Sequence, residues 1–275
     1  MCSTRAGSTG AAFRTLHQKG DPFILANAWD AGSAKLLEAL GAQAIGTSSA
    51  AHAFTLGRPD MGRVSRDEAL AHAQDVLSAV RVPVSGDFEN GFGHGPEALA
   101  DTVRLAGEIG LAGISIEDVA LPEKTAYPRA QAIERIRAAA SAARALAGDF
   151  VLCARADGVM NGQYDLNEAL ARVQGYEAAG ADCVYVPVPG GLEAQAAVIA
   201  ATTLPVNVLI TGAFTHMMRS DFAQMGAARL SLGSSLMRMV QRHVMDAGHA
   251  MFNTGMFTAL SHSIAGDEVD EMLTR

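Results

Sequence analysis

Asp87 and Glu89 stand two residues apart at the end of a short apolar run, within Val82-Pro-Val-Ser-Gly-Asp87-Phe-Glu89-Asn-Gly-Phe-Gly-His-Gly95. The run carries an early proline and reads as a buried strand. Side chains at i and i+2 of a strand leave the same face, so the two carboxylates come together at its carboxyl end. Anions that close repel unless positive charge lies between them, and a hard divalent cation is the usual partner. A strand that simply ends in a polar turn is the alternative for this stretch taken alone.

Groups of the same kind recur along the chain: Asp60 in Gly57-Arg58-Pro59-Asp60-Met61-Gly62, the pair Glu117-Asp118, and Arg155-Ala-Asp157. An oxygen-rich set, free of thiolate and poor in histidine, selects Mg2+ or Mn2+ over zinc. Mg2+ keeps several waters, so some of these acids act through water. The planar fork of Arg155 matches a carboxylate, and Ser48 and the amides near Ser49 supply further donors. A metal beside such a grip suits a 2-oxo acid. Chelation of its keto and carboxylate oxygens stabilises an enolate, the electron sink for cleaving the bond beyond. Arg155 has a second reading, a salt bridge to Asp157 or Glu117 that only braces its surroundings.

Eight strand-like runs position these groups: 22–29, 43–49, 82–89, 112–118, 150–157, 182–188, 205–211 and 228–233. Between them lie helical faces with apolar residues at i, i+3 and i+4, such as Leu36, Leu37 and Leu40, or Leu99, Val103 and Ala106. Gly41, Gly110, Gly180 and Gly226 each follow such a face and predict left-handed helix caps. Ser65 with Glu68 predicts a capping box. Eight alternating units imply parallel pairing through right-handed crossovers. At 275 residues they predict an α/β fold, a closed (β/α)8 TIM-type barrel in a single domain. The expected organisation is an N-terminal lead over 1–20, the barrel over 21–235 and a helical oligomerisation segment over 236–275.

Active sites of such barrels form at the carboxyl ends of the strands. Those ends carry Trp29, then Ser48 and Ser49, then Asp87 and Glu89, then Glu117 and Asp118, then Arg155, with Asn207 on the seventh strand. Trp29, Ser48, Ser49, Arg155 and Asn207 are the expected substrate contacts. The sixth strand ends Tyr185-Val-Pro-Val-Pro189, nearly all apolar. One rim therefore gathers Asp60, Asp87, Glu89, Glu117 and Asp118 around a single guanidinium, and such a set is electrostatically costly without a cation.

Ser48 before a loop ending Pro59-Asp60, then Asp87-x-Glu89-x-Gly-x-Gly93, Ile116-Glu117-Asp118 and Ala154-Arg155-x-Asp157 together resemble the isocitrate lyase/phosphoenolpyruvate mutase superfamily. The opening Asn27-Ala-Trp-Asp30 is similar too, and the ordered match covers about residues 20–240. The resemblance implies Mg2+ and 2-oxo acid chemistry. It makes Asp87 the direct metal ligand, with Asp60, Glu89 and Glu117 acting mainly through metal-bound water, Glu89 replacing a more usual aspartate. It makes Ser48, Ser49 and Arg155 the grip on the 2-oxo acid. The isocitrate and methylisocitrate lyases carry a Lys-Arg-Cys-Gly-His loop whose cysteine is the acid or base. Here that loop reads Val119-Ala-Leu-Pro-Glu-Lys124-Thr125-Ala-Tyr127-Pro128. This places the chain in a cysteine-less branch, apart from ordinary isocitrate or methylisocitrate lyases. The loop is expected to close over the site, with Lys124, Thr125 and Tyr127 as its reactive or orienting groups beside Arg155 and Glu117.

The implied function is a Mg2+-dependent lyase or hydrolase that cleaves a carbon–carbon bond in a small 2-oxo or 2-hydroxy dicarboxylate-like acid. Phosphorus–carbon chemistry of the phosphonopyruvate hydrolase or phosphoenolpyruvate mutase type is the alternative, and a non-catalytic 2-oxo acid binder a third reading. A net charge of −8 argues against nucleic acid and anionic membranes as partners. No apolar run nears the roughly 20 residues of a membrane span, and residues 1–10 lack the apolar core of a signal peptide, so a cytoplasmic location is expected. Cys2, Cys153 and Cys183 fit neither a disulfide framework nor a zinc pattern. Gly91-x-Gly93-x-Gly95 has the wrong spacing for a dinucleotide loop. The Met- and Phe-rich stretch 235–260 reads as core packing or a subunit interface. The superfamily's barrels exchange their last helix between subunits, which favours the interface in a homo-oligomer, dimer or tetramer, with C-terminal helices swapped.

Overall fold

The computed structural model describes residues 3–274; Cys2 lies outside them. Ten strands run β1 (Phe23–Asn27), β2 (Ala44–Gly46), β3 (Val84–Asp87), β4 (Gly113–Ile116), β5 (Val119–Ala120), β6 (Thr125–Ala126), β7 (Val151–Arg155), β8 (Cys183–Tyr185), β9 (Val206–Leu209) and β10 (Arg229–Ser231). Eight of them close a parallel barrel in the order β1-β2-β3-β4-β7-β8-β9-β10, with β10 back against β1. Each matches one of the eight runs expected from the sequence. The remaining two, β5 and β6, form a small antiparallel hairpin after β4. The (β/α)8 barrel is thus observed.

The strands alternate as a barrel requires. One face of each carries Ile45, Val84, Ile114, Leu152, Val184 or Val208 outward, against Ala73, Val76, Leu99, Val103 and Val173 of the surrounding helices. The other face turns Leu25, Cys153, Cys183 and Tyr185 into the barrel. At the amino ends of the strands this interior is closed by α1 (Ser3–Leu16), which lies within the expected N-terminal lead. Its Phe13 is fully buried and meets Phe23 edge-on at 5.9 Å. His17, just past α1, stands edge-on to both rings.

The other helices that bear on the site are α2 (Ala31–Ala39), α3 (Ser49–Thr55), α4 (Arg66–Ala79), α5 (Pro96–Glu108), α6 (Arg129–Arg144) and α7 (Leu166–Ala179). The four expected cap glycines all take left-handed backbone, with φ between 91° and 99°. Ser65 and Glu68 form the expected box at the start of α4. After α8 (Leu192–Ala200) and α9 (Arg219–Met225), the chain ends in α10 (Ser235–Thr254) and α11 (Gly266–Thr274). No residue of α10 is buried. Among the described residues no helix is long and apolar enough to cross a membrane.

Burial, then the nearby Arg229 charge, drives the His17 imidazole down to about 3. The unfolded chain titrates it near 6.5 and so binds more protons between those values. Stability therefore rises with pH across that window: the neutral ring's contribution is full above about pH 6.5 and is lost as pH falls toward about 3. His17→Gln should flatten the acid limb of a urea-denaturation profile between about pH 6.5 and 4, and an unchanged slope would contradict this burial.

Candidate active site

The carboxyl ends of the barrel strands enclose a cavity of about 150 Å3, lined by Ser48, Ser49, Asp60, Asp87, Glu117, Arg155 and Asn207. Seven of the residues picked from the sequence therefore share one space. Its depth on the β2–β4 side comes from small residues, Gly46, Ser85, Gly86 and Ser115, which leave room below Asp87. Asn27 ties the seam of the barrel beside it. Its amide donates to the Thr47 carbonyl at 2.7 Å, and its Oδ1 accepts from the Leu232 and Gly233 amides at 2.8 and 2.9 Å.

Arg155 organises the charge. Its Nε and Nη2 donate to the two oxygens of Asp157 at 3.1 and 2.6 Å, a bidentate fork. Nη1 reaches Asp87 Oδ1 at 2.8 Å, and Nη2 lies 3.2 Å from Glu117 Oε1. Asp87 Oδ2 accepts from the Ser49 amide at 2.9 Å and the Ser49 hydroxyl at 2.8 Å. Arg155 therefore braces Asp157 and Glu117, as its second reading had it, while also lining the cavity. Ser48 caps α3, its Oγ accepting the Ala51 amide at 3.3 Å, which sets the turn that carries Ser49.

Glu89 lies just behind Asp87. It lines an adjoining recess with Phe88 and His52, and its Oε1 accepts the Gly62 amide at 2.8 Å. Burial pushes its carboxyl up to about 7, against that hydrogen bond. Burial also raises Asp60, with Asp87 adding to the effect. Burial lifts Glu117 well above the ordinary carboxylate range, with Arg155 opposing and Asp157, Asp87 and Glu89 adding. The left-handed backbone of non-glycine residues concentrates here. Met61, Glu89, Phe92, Lys124 and Val188 all carry positive φ and all lie in loops beyond the strands' carboxyl ends, where strain is a common mark of function.

Four expectations need correction. Trp29 does not line the cavity; β1 ends at Asn27, and alternation turns Asn27 inward. Beyond it the chain bends into the α2 cap, where the Trp29 carbonyl meets His72 at 2.9 Å. Lys124 and Thr125 are exposed at the β5–β6 hairpin and outside the cavity. Leu121 and Pro122 of that loop pack close to Gly62 instead. Asp118 leaves the rim altogether. Its oxygens accept from Tyr164 and Tyr176 hydroxyls, Arg172 and the Asp157 amide, all within 2.9 Å, because residues adjacent in a strand point to opposite faces. The sixth strand is also less apolar than expected: the Tyr185 ring lies in the cavity wall, 5.0 Å from the Arg155 guanidinium.

Arg229 and Ser231 on β10 also line the cavity and were missed. The signal was present: a lone arginine inside the apolar run Ala227-Ala-Arg229-Leu230 at strand period. Tyr127 is buried at the base of the loop, its hydroxyl 3.1 Å from Asn90 Nδ2 and 3.0 Å from His94 Nδ1.

A divalent cation fits this donor set. Asp60, Asp87, Glu89 and Glu117 are all oxygen donors, three of them carry raised pKa values, and Arg155 pairs with two of the four. Among the described residues no three or more acid, histidine or cysteine side chains converge into a cage by themselves.

The family model described as phosphoenolpyruvate phosphomutase matches residues 13–252. The chain belongs to this family, within the phosphoenolpyruvate mutase/isocitrate lyase superfamily. The chain is 31% identical over 194 residues to 2,3-dimethylmalate lyase of Eubacterium barkeri, spanning 68% of itself and 65% of that protein. It is 34% identical over 224 residues to an uncharacterized protein of Mycobacterium tuberculosis, covering 81% and 82% of the two chains. A crystal structure from Burkholderia cenocepacia J2315, provisionally described as a lyase/mutase, superposes with a TM-score of 0.94 at 37% identity, over 99% and 98% of the chains. The superfamily is one of lyases and mutases acting on small acids, generally with a divalent metal.

Asp118 anchors this site from outside it. Asp118→Asn breaks a buried pair with Arg172 (2.9 Å) and weakens the two tyrosine hydrogen bonds. It should cost about 3 kcal/mol or more in urea denaturation, and a loss below about 1 kcal/mol would show that the network is not needed.

Proposed function

We propose that this protein is a divalent-metal-dependent lyase or hydrolase that cleaves a carbon–carbon bond in a small 2-oxo or 2-hydroxy dicarboxylate-like acid. The observation that carries this reading is the convergence of Asp87, Glu117, Arg155 and Ser49 on one small cavity. Asp87 is the residue to hold Mg2+ directly, with Asp60, Glu89 and Glu117 assisting through water; Mn2+ is an acceptable substitute. The chemistry a bound Mg2+ supplies is positive charge against the enolate that cleavage leaves.

The chain's own groups do the rest. Arg155 offers its Nη1 face to the substrate carboxylate, because Asp157 fixes the guanidinium plane from behind. The Ser49 amide and hydroxyl, at the start of α3, orient Asp87. The Glu117 carboxylate, 3.2 Å from Arg155, faces the cavity where it can accept a hydrogen bond from a metal-bound water or from the substrate. The hairpin β5–β6 with Leu121 against Gly62 is the natural cover that excludes water. A cavity of about 150 Å3 suits a small acid. The carbon–carbon reading is preferred to phosphorus–carbon chemistry on one ground. Arg58 is committed to Glu68 at 2.9 Å and Lys124 is exposed on the hairpin, so neither of these loop cations is set to join Arg155 around a phosphoryl group.

A panel of 2-oxo and 2-hydroxy acids, run with and without Mg2+ and read by mass spectrometry, should give metal-dependent cleavage. Asp87→Ala should lower it by on the order of 10³ and weaken metal affinity. Retention of both would refute the reading, and tight binding of 2-oxo acids without turnover would make the protein a binder.

We further propose a homo-oligomer joined through the C-terminal helices. Met239, Val244, Met245 and Phe252 of α10 are all more than half exposed, which is unusual for a monomer's surface when so many lie together. Val244→Glu combined with Phe252→Glu should shift the sedimentation coefficient to that of a single chain, while the unmodified protein sediments as a dimer or tetramer.

A further inference from the structure

The interior of the barrel holds two guanidiniums with opposite surroundings. Arg155, Tyr185, Asn207 and Arg229 occupy paired positions across β7, β8, β9 and β10, and all four line the cavity. Arg155 stands among three carboxylates. Arg229 is 2% exposed, yet among the described residues no carboxylate lies within ion-pair distance of it. Its partners are formally neutral: Asn207 Oδ1 at 2.8 Å, Cys153 Sγ at 2.8 Å and His17 Nε2 at 3.4 Å. His17 must accept there, because its Nδ1 faces the Phe13 carbonyl at 2.8 Å. A guanidinium has five N–H groups; three are so engaged and two remain.

A buried charge without a counter-charge is costly unless something anionic joins it. Cys153 answers only part of that need. Its thiol, hydrogen-bonded to Cys183 and facing the Arg229 charge, is shifted downward although burial pushes the other way, but it is no carboxylate. The remaining lining on this side is neutral and hydrogen-bonding: Tyr185, Asn207 and Ser231, with Asn207 Nδ2 donating to Ser231 Oγ at 2.8 Å. The cavity is thus divided. Its β3–β4 wall is acidic and attracts a cation. Its β8–β10 wall carries an excess positive charge and attracts an anion.

We propose that Arg229, with Asn207 and Ser231, forms a second anion subsite in the cavity that takes the far acid group of the substrate. This selects a small diacid over a monoacid of the same length. The inference rests on the proposed 2-oxo or 2-hydroxy acid function and adds to it the residue that reads the distal end. Arg155 and Asp87 address one end of the ligand; Arg229 addresses the other. The long side chain of Arg229 starts on β10 and crosses toward β7, so it meets a ligand from the side opposite the acidic wall.

The test is calorimetry on the full chain with Mg2+, using two stable probes of equal length: malate, and 2-hydroxybutanoate, in which a methyl replaces the distal carboxylate. The protein should bind malate at least tenfold more tightly. Arg229→Gln should remove at least tenfold of malate affinity and leave 2-hydroxybutanoate within threefold. Asn207→Asp places a carboxylate on Arg229 Nε; it should raise the melting temperature while erasing the preference for malate, so the idea stays testable if Arg229→Gln does not fold. Equal binding of the two probes by the unmodified protein overturns the subsite alone. A preference for malate that survives both variants overturns it too. Failure to bind either probe, with Arg155→Gln changing nothing, overturns the proposed function together with the subsite.

Discussion

One guanidinium at the top of the barrel holds three carboxylates, and the rest of the site is arranged around that imbalance. Arg155 forks onto Asp157 and touches Asp87 and Glu117. Charges in a low-dielectric interior interact strongly, so this cluster is rigid but short of positive charge. Asp60 and Glu89 deepen the deficit. The raised carboxyl groups record the same fact from the other side: in the absence of a further cation, burial makes protonation the cheaper way to balance the set. A divalent ion bound among them would relieve that cost.

Rigidity reaches the cluster through hydrogen bonds from the helical layer. Arg172 and Tyr176 on α7, with Tyr164 before it, converge on Asp118. Asp118 in turn takes the Asp157 amide, and Asp157 holds Arg155. Glu117 and Asp118 are neighbours in sequence with opposite duties, one facing the cavity and one facing the helices. On the other flank, Arg135 of α6 is buried over the Tyr127 ring at 4.2 Å and donates to the carbonyls of Asn90 and Gly93, which fixes the loop after β3.

The readings that succeeded were those resting on strand period and strand ends. Asp87, Glu117, Arg155, Ser48 and Ser49 could be assigned to one rim because a barrel brings every carboxyl end to the same face. The readings that failed involved residues just past a strand, where period no longer applies. Trp29 follows the last residue of β1 and turns into a helix cap; Lys124 and Thr125 sit on a hairpin that sets Leu121 and Pro122 close to Gly62 instead. Asp118 failed for the opposite reason. It was counted by type, whereas its parity with Glu117 already sends it outward.

The amino-acid sequence alone determined the barrel, its eight strands, the helix caps and most of the acidic rim, because these follow from local periodicity, glycine conformation and the order of elements along the chain. Only the tertiary structure decided which polar groups meet. The contacts of Arg155 with Asp87 and Glu117, the closing of the barrel floor by Phe13 and His17, and the meeting of Arg229 with Cys153 and His17 join residues that lie on separate strands or far apart in the chain. Shear and side-chain length, which set those meetings across a closed sheet, leave no local trace in the order of residues.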